Sequence, residues 1–455
     1  MSPQDLAHII LNKVFTKPDG IRLRAYRGEF WRWDGEKYLP TPNWDFKIFV
    51  TSAIEKLYQD QEDAPKITTQ LVGNVTNSLA SKIFMPEETQ LPCWVADHPE
   101  EAETNLLTMK NGLISLDAII TGREVKVHPH TPAWFSTTAL PYEYDPSAKC
   151  PGWQDFLNQI FEGDQERIKL LQEWFGYCLT PNTTEQKFLV LEGEGANGKS
   201  VVCEILTALL GDVNVSHVPL EVFADRFQLT ATLDKLANIT TEVGEIKSVA
   251  EGILKQFTSG DRMTFDRKNQ SCIHARPSAR LVLAANNRPK FADRSQGIWR
   301  RMILLPFAIS IPREEQDIHL AEKLKAELPG ILNWAAEGER RRIAQGGFTQ
   351  PQICRDAAEE YKLESNPAKM FLTESFESDP VECESADEVY LSYRDWCEHN
   401  GFKPLSRPAF KKEVIRQFPK AYKTKKRVHG IPISVFQGIR RAKCPTVETI
   451  SALAA

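Results

Sequence analysis

The sequence has no Cys-x-x-Cys pair, although it contains nine cysteines. A zinc ribbon needs that spacing, and an odd number of thiols does not build a disulfide framework, so neither is expected. A reducing, cytoplasmic setting follows from this. No stretch approaches the roughly 18 consecutive apolar residues of a membrane-spanning helix. The opening MSPQDLAHIILNKVF lacks the basic start and small-residue cleavage site of a secretory signal. Asp-x-Asp pairs, which could hold the two metals of a polymerase site, are missing, as are internal repeats and low-complexity tracts. His128-Pro129-His130 has no cysteine or carboxylate at ligand spacing, so it is not read as a metal pair. What remains is a chain of ordinary globular composition, 42% hydrophobic and 26% charged over 455 residues. At roughly 150 residues each, that length accommodates about three domains.

Charge is unevenly spread. Residues 401–443 carry thirteen lysines and arginines against one acid, Glu413, whereas residues 1–400 carry a net −16 within a total of −5. A basic C-terminal segment on an acidic body points to a polyanionic partner for that segment.

The first 45 or so residues read as short strands: Ile21–Arg24 alternates, and Phe30–Trp33 runs into the turn signal Asp34-Gly35. Residues 44–85 read as helical and 105–143 as β. Trp153, Phe156, Leu157 and Ile160, then Ile168, Leu171, Trp174 and Phe175, fall at helical spacing. Residues 200–310 alternate helix and strand, which predicts an α/β core with a mostly parallel sheet. Residues 312–345 are helical and charged. Gly346-Gly347 and Asn366-Pro367 bracket a predicted linker. Beyond it, Ser385 with Glu388 makes a capping-box pattern for one helix, and Ser406 opens a second. Two short runs then flank His429-Gly430. Helix, helix and β-hairpin read as a winged helix. Its cations Lys411, Lys412, Arg416, Lys420, Lys423, Lys425, Lys426 and Arg427 fall on the second helix and the hairpin.

The most specific pattern is Gly193-Glu194-Gly195-Ala196-Asn197-Gly198-Lys199-Ser200, a full match to G-x-x-x-x-G-K-[ST]. An apolar run, Phe188–Leu191, precedes it, and an amphipathic helix follows. Such a loop wraps its amides around a β-phosphate. Lys199 would neutralise the β- and γ-phosphates, and Ser200 would offer a hydroxyl to Mg²⁺. ATP and Mg²⁺ are therefore the expected cofactors. A second strand, Leu236–Thr241, ends in Glu242, with Glu245 three residues on. Glu242 is the candidate Mg²⁺-orienting or water-polarising acid, and Glu245 a candidate to share that work. A third strand, Leu281–Ala285, ends in Asn286-Asn287-Arg288-Pro289, where an amide could position the lytic water. Arg300 and Arg301 precede the apolar run Met302–Phe307. Such a pair could serve as a trans-acting arginine finger or as an exposed ion pair.

Taken in order, GEGANGKS, ITTEVGE, KQFTSGDRMTFDRK, LAANNRP and GIWRRMILLPF resemble the superfamily-three helicases. More narrowly, they resemble the helicase half of phage and plasmid primase-helicases related to the poxvirus primase-helicase. MKNGLISLD, LPYEYDPSAKCPGW and VYLSYRDWCEHNGFKPLSRPAFKKEV extend the likeness across about residues 105–440. The resemblance implies an AAA+-like P-loop core and a sensor role for Asn286. It implies an arginine finger at Arg300 or Arg301, with Arg301 preferred. It also implies a channel hairpin after Thr258, Gly260 and Asp261, whose Arg267 and Lys268 touch DNA. One acid, rather than two adjacent ones, follows Thr241.

The expected domains are an α+β region at 1–104, matched to no family, and a pre-helicase region with a helical bundle at 105–184. A P-loop ATPase at 185–345, a linker at 346–380, a winged helix at 381–443 and a tail at 444–455 complete the division. The expected function is an ATP-dependent DNA helicase for replication of a phage or mobile element, without a primase domain and assembled as a homo-hexameric ring. A separate primase or polymerase chain is an expected partner, and the host cytoplasm the expected location. The rival reading is a P-loop phosphotransferase acting on a small molecule, with residues 312–345 as its lid.

Overall fold

Ser2 and Asp5 form a reciprocal capping box that starts helix α1 (Pro3–Ile10), burying Leu6, Ala7 and Ile10. A reading of residues 1–45 as strands alone misses this helix, because Ser-Pro-x-Asp is a short signal without a long periodic run behind it. Strands β1 (Leu23–Tyr26) and β2 (Glu29–Trp33) pair antiparallel through the two-residue turn Arg27-Gly28. Both turn residues are left-handed, with φ of 51° and 73°, the conformation that matches the strands' twist. Strand β3 (Tyr38–Thr41), helices α2 (Asn43–Tyr58) and α3 (Thr69–Lys82), and strand β4 (Phe84–Met85) follow in this region. Its own core gathers Leu6, Phe15, Phe30, Phe46, Val50 and Leu79. The description comes from a computed structural model and covers residues 1–59, 66–95, 103–241, 248–268, 270–289, 291, 296–428 and 431–442.

A hairpin of β5 (Leu106–Met109) and β6 (Gly112–Ser115) follows, then helices α4 (Pro151–Ile160) and α5 (Gln165–Cys178). After α5 come β7 (Phe188–Glu192), α6 (Lys199–Leu210), β8 (Val215–Ser216), β9 (Ala237–Thr241) and α7 (Ser248–Ser259). A short antiparallel hairpin, β10 (Met263–Phe265) with β11 (Ile273–Ala275), leads to β12 (Arg280–Ala285) and β13 (Met302–Pro306). Five of these strands form one parallel sheet in the order β8-β9-β12-β7-β13. The mixed α/β core with a parallel sheet thus matches the sequence expectation. Burial on both faces explains why β7 and β12 read as unbroken apolar runs.

Helix α8 (Leu328–Gln345) crosses α5 at a pair of glycines. A Cβ on Gly176 would lie 2.3 Å from the Ala335 carbonyl oxygen, and one on Gly338 would lie 2.4 Å from that of Gln172. Around this crossing Glu173, with no exposed surface, accepts from Arg341 at 2.7 Å and from the Thr349 amide at 2.7 Å. Arg280 lies 4.1 Å over the Tyr177 ring, and Arg342 lies 5.0 Å from it. One apolar cluster runs from Leu107 through Trp153 and Trp174 to Leu189, Leu206 and Trp334, so the core is continuous across residue 185. Residues Met1–Arg355 accordingly make up one compact unit.

The second unit is Asp356–Ala455. Helix α9 (Gln352–Glu364) spans the division between the two. The stretch 346–380, expected as a linker, is largely ordered structure. Gly346 is the left-handed C-terminal cap of α8, and Asn366 caps helix α10 (Pro367–Ser375) by accepting from the Lys369 amide. Gly-Gly and Asn-Pro were thus helix stop and start signals. Phe371, Leu372 and Phe376 join the core of this unit beside Tyr393, Phe410 and Phe436. Strand β14 (Phe376–Ser385), helices α11 (Ala386–His399) and α12 (Arg407–Gln417), and strands β15 (Tyr422–Val428) and β16 (Ile431–Arg441) follow. The antiparallel sheet order is β14-β16-β15.

The helix crossing predicts that Gly176→Ala destabilises the first unit by about 1–3 kcal/mol, the usual cost of overpacking. Thermal unfolding should show a lower Tm. An unchanged Tm would mean that α5 and α8 can separate without cost.

Candidate active site

In parallel strands the chain leaves every strand at the same edge. Glu192, at the end of β7, is in register with Ala285, at the end of β12. Thr241, at the end of β9, is in register with Ala284. The loop 193–198, Asn286 and the end of β9 at Thr241 therefore share one edge of the sheet. Glu242 and Glu245 lie outside the described residues, so only the strand end that leads to them is placed.

The glycine loop is held tightly. A Cβ on Gly193 would stand 2.3 Å from Asn197 Nδ2 and 2.6 Å from the Phe307 carbonyl oxygen. Gly198 has φ 87°, and a Cβ there would meet Phe156 Cζ at 2.9 Å. Phe156 and Ile160 of α4 thus form the floor beneath the loop's last turn. The Ile311 amide donates to the Ala196 carbonyl at 2.7 Å, and the Phe307 amide to that of Glu192 at 2.7 Å. Lys199, the first residue of α6, is 5% exposed. Its ammonium donates to the Gly193 carbonyl at 2.7 Å and to Asn197 Oδ1 at 3.0 Å. Burial lowers its pKa from the ordinary lysine value. Gly198 gives α6 no side-chain cap, so the first-turn amides have no capping partner there. A buried cation beside such a helix start can hold an anion of phosphate chemistry. Glu194, Ala196 and Ser200 are exposed at the loop, while Gly195 is half-buried.

Asn286 and Asn287 are exposed, one and two residues past β12. Arg288 reaches back to Glu192, Nε to Oε1 at 2.5 Å, and ties this turn to the end of β7. The Gly193 amide donates to the Ala285 carbonyl at 3.3 Å, which brings the asparagine turn against the start of the loop.

Arg300 and Arg301 lie at the other edge. They precede β13, whose Met302 is in register with Phe188 at the start of β7. The Phe188 amide donates to the Arg301 carbonyl at 2.9 Å, and Lys187 Nζ to that of Arg300 at 2.5 Å. At about 3.3 Å per residue, the five-residue strand β7 separates this edge from the loop by roughly 16 Å. The structure also separates the two arginines from each other. Arg301 is 7% exposed and donates to Ser259 Oγ at 2.7 Å and to the Gly297 carbonyl at 2.8 Å. Arg300 is exposed.

The hairpin cations also diverge. Lys268 is exposed, whereas Arg267 is half-buried, 3.4 Å from Glu29 Oε1 and 3.2 Å from the Ser271 carbonyl oxygen. In the second unit Lys411, Lys412, Lys423, Lys425, Lys426 and Arg427 are exposed. Arg416 is exposed too and pairs with Glu413 at 2.6 Å. Strand alternation puts Lys423, Lys425 and Arg427 on one face of β15 and Lys426 on the other. Sequence reasoning missed Phe156, Phe307 and Arg288 as supports of the loop. Their partners lie 42, 110 and 96 residues away in the chain, and no local pattern signals such pairs.

Three known families match parts of the chain. A family described as "D5 N terminal like" matches residues 8–162, a family of unknown function (DUF5906) matches 191–301, and "Poxvirus D5 protein-like" matches 363–437. The first of these covers most of the region 1–104 that the sequence reading had left without a family. "Putative helicase L207/L206" of Acanthamoeba polyphaga mimivirus is 27% identical over 195 residues, 40% of this chain and 19% of that protein. "Putative helicase 121R" of Invertebrate iridescent virus 3 is 20% identical over 278 residues, 53% of this chain and 29% of that protein. The chain thus spans less than a third of these relatives. An apo structure of the NrS-1 C terminal region superposes with a TM-score of 0.54 at 11% identity, covering 96% of this chain and 99% of that one, a likeness of fold. D5-type sequence thus lies on both sides of the glycine-loop core, and the relatives it resembles are named putative helicases.

Proposed function

We propose that this protein is an ATP-dependent DNA helicase serving replication of a phage or mobile genetic element, and that it works as a homo-hexameric ring in the host cytoplasm. The observation that carries the reading is the placement of Lys199 and the glycine loop at one edge of the parallel sheet and of Arg300 at the opposite edge. The loop, the buried Lys199 and the uncapped start of α6 fit the triphosphate of ATP, and strand β7 between β12 and β13 supports an AAA+-like P-loop core. Bound Mg-ATP supplies the phosphoryl group that is passed to water.

The chain's own residues take the remaining roles. Lys199 offsets phosphate charge, and its bonds to Gly193 and Asn197 hold it ready in the loop. Ser200 and Glu242 are the proposed Mg²⁺ ligands, with Glu242 or Glu245 polarising the water. Asn286 orients that water from the tip of β12. Arg300 is too far from its own loop, so it serves the loop of a neighbouring copy, and the site is complete only between two copies. The sequence preference for Arg301 gives way to Arg300, because the Arg301 guanidinium is engaged within its own chain. Lys268 contacts the DNA backbone inside the ring. The second unit, two helices followed by a basic β-hairpin, is proposed as a winged helix that binds single-stranded or duplex DNA through Lys411, Lys412, Lys423, Lys425, Lys426 and Arg427. A separate primase or polymerase chain would complete the replication machinery.

ATP turnover is the direct test, measured with and without single-stranded DNA. Native protein should be stimulated by DNA. Lys199→Ala and Arg300→Ala should each lose about 10³-fold or more, the scale of an arginine finger. Mixing the two should restore part of the activity, because an intact loop then meets an intact arginine. Turnover indifferent to DNA and retained in Arg300→Ala would instead favour a small-molecule phosphotransferase. Arg301→Ala should lower the Tm, and mixing should not rescue any activity it loses. In the second unit, changing Lys423, Lys425 and Arg427 together to alanine should flatten the salt dependence of DNA binding by about 2–3 in log–log slope, since each phosphate contact contributes roughly 0.7–0.9. An unchanged slope would remove the hairpin from the DNA interface.

A further inference from the structure

The hairpin β10–β11 has three residues in each strand. A two-stranded ribbon of that size does not hold its own position, so something else must fix it. Two long-range ion pairs converge beside it, and both come from the β1–β2 turn of the N-terminal region. Arg27 donates to both carboxylate oxygens of Asp234, at 3.0 and 2.9 Å, and is 8% exposed. Glu29 faces Arg267 at 3.4 Å. Between them, a Cβ on Gly28 would lie 3.6 Å from Arg267 Nη2. A third contact closes the triangle: Thr230 Oγ1, in the same segment as Asp234, donates to the Asp266 carbonyl at 2.9 Å.

The backbone supports the same conclusion. Arg27 and Asp234 are both non-glycine residues in the left-handed region, with φ of 51° and 57°. Such conformations persist where the surroundings over-determine them, and they cluster where geometry serves function. Here two of them face each other across an ion pair in which Arg27 Nη1 meets both carboxylate oxygens. Tyr26 adds to the rigidity of the turn: its ring lies 4.6 Å beneath Arg27, and its hydroxyl donates to the Thr89 carbonyl at 2.6 Å.

We propose that the β1–β2 turn is a brace that sets the height of the β10–β11 hairpin. Arg27, Glu29 and Asp234 are then positioning residues for Lys268, and Arg267 is part of the brace and not a DNA contact. The assignment of Lys268 rests on the helicase reading; the brace itself does not. The N-terminal region and the hairpin move as one body, so a stroke driven by nucleotide reaches the DNA only with the N-terminal region attached to it.

Charge reversal on the full-length protein tests this, with two readouts. Glu29→Lys and Arg267→Glu should each raise amide hydrogen exchange across 263–275 and lower DNA stimulation of ATP turnover by about five-fold, the scale of coupling between contacting charges. Turnover without DNA should be unchanged in Glu29→Lys. The double variant, with the pair restored in reverse, should recover both exchange protection and stimulation. Lys268→Ala should lose stimulation with exchange unaltered. If the single variants leave exchange at 263–275 unchanged, the brace is wrong. If the double variant recovers exchange but not stimulation, Arg267 touches DNA and its assignment to the brace is wrong. If native protein shows no DNA stimulation, the helicase reading fails, and the exchange arm still decides the brace.

Discussion

Strand polarity is the constraint on which the rest of the site depends. All five strands of the central sheet run the same way. Whatever follows a strand is therefore delivered to one edge, and whatever precedes a strand to the other. The glycine loop and Asn286 follow strands, while Arg300 and Arg301 precede one. No side-chain rotation closes a gap of roughly 16 Å, the length of a five-residue strand. On the helicase reading, this polarity is what makes hydrolysis a property of two adjacent copies.

The loop at that edge is shaped as much by helices as by the sheet. Phe156 and Ile160 of α4 press under Gly198, so α4 limits how the loop can turn. Helix α4 is itself seated by Glu327, which accepts from the amides of Gly152 and Trp153 at 3.0 and 2.9 Å. Helix α5, next in sequence, is locked to α8 by Gly176 and Gly338. The helical region before the core and the helices after it thus share one apolar cluster with the sheet. A domain boundary at residue 185 has no physical counterpart in the packing, although the sequence changes character there.

Much of this was legible in the residues. The G-x-x-x-x-G-K-[ST] pattern needs a strand before it and a helix after it, and both were visible in short-range hydrophobic spacing. Parallel strands declared themselves as unbroken apolar runs. Capping signals gave the start of α11 correctly, yet the same kind of signal was misread at Asn366-Pro367. There the helix that follows is short, and its apolar Phe371 packs on α11 and α12, partners the local sequence does not name. Long-range pairs were the least legible. Nothing near Arg267 announces Glu29, 238 residues away, so a basic hairpin tip read as two DNA contacts when one of its cations is paired. The sequence preference for Arg301 over Arg300 had no access to burial, and Arg301 is buried where it meets Ser259 and Gly297.

The charge pattern adds a further step. An acidic body repels a polyanion at long range, and screening limits that repulsion to about 10 Å at ordinary ionic strength. On the helicase reading, DNA must therefore meet local groups of cations rather than the field of the whole chain. Several exposed cations sit on hairpins, Lys268 on β10–β11 and Lys423, Lys425 and Arg427 on one face of β15, while Lys411 and Lys412 sit on helix α12. Residues two apart on a strand are about 6.6 Å apart. A cationic strand face can thus present a row of charges to a phosphate backbone without reading a base. Cations that already have carboxylate partners, Arg267 with Glu29 and Arg416 with Glu413, contribute less to such contact, because each phosphate bond they make must replace an existing ion pair.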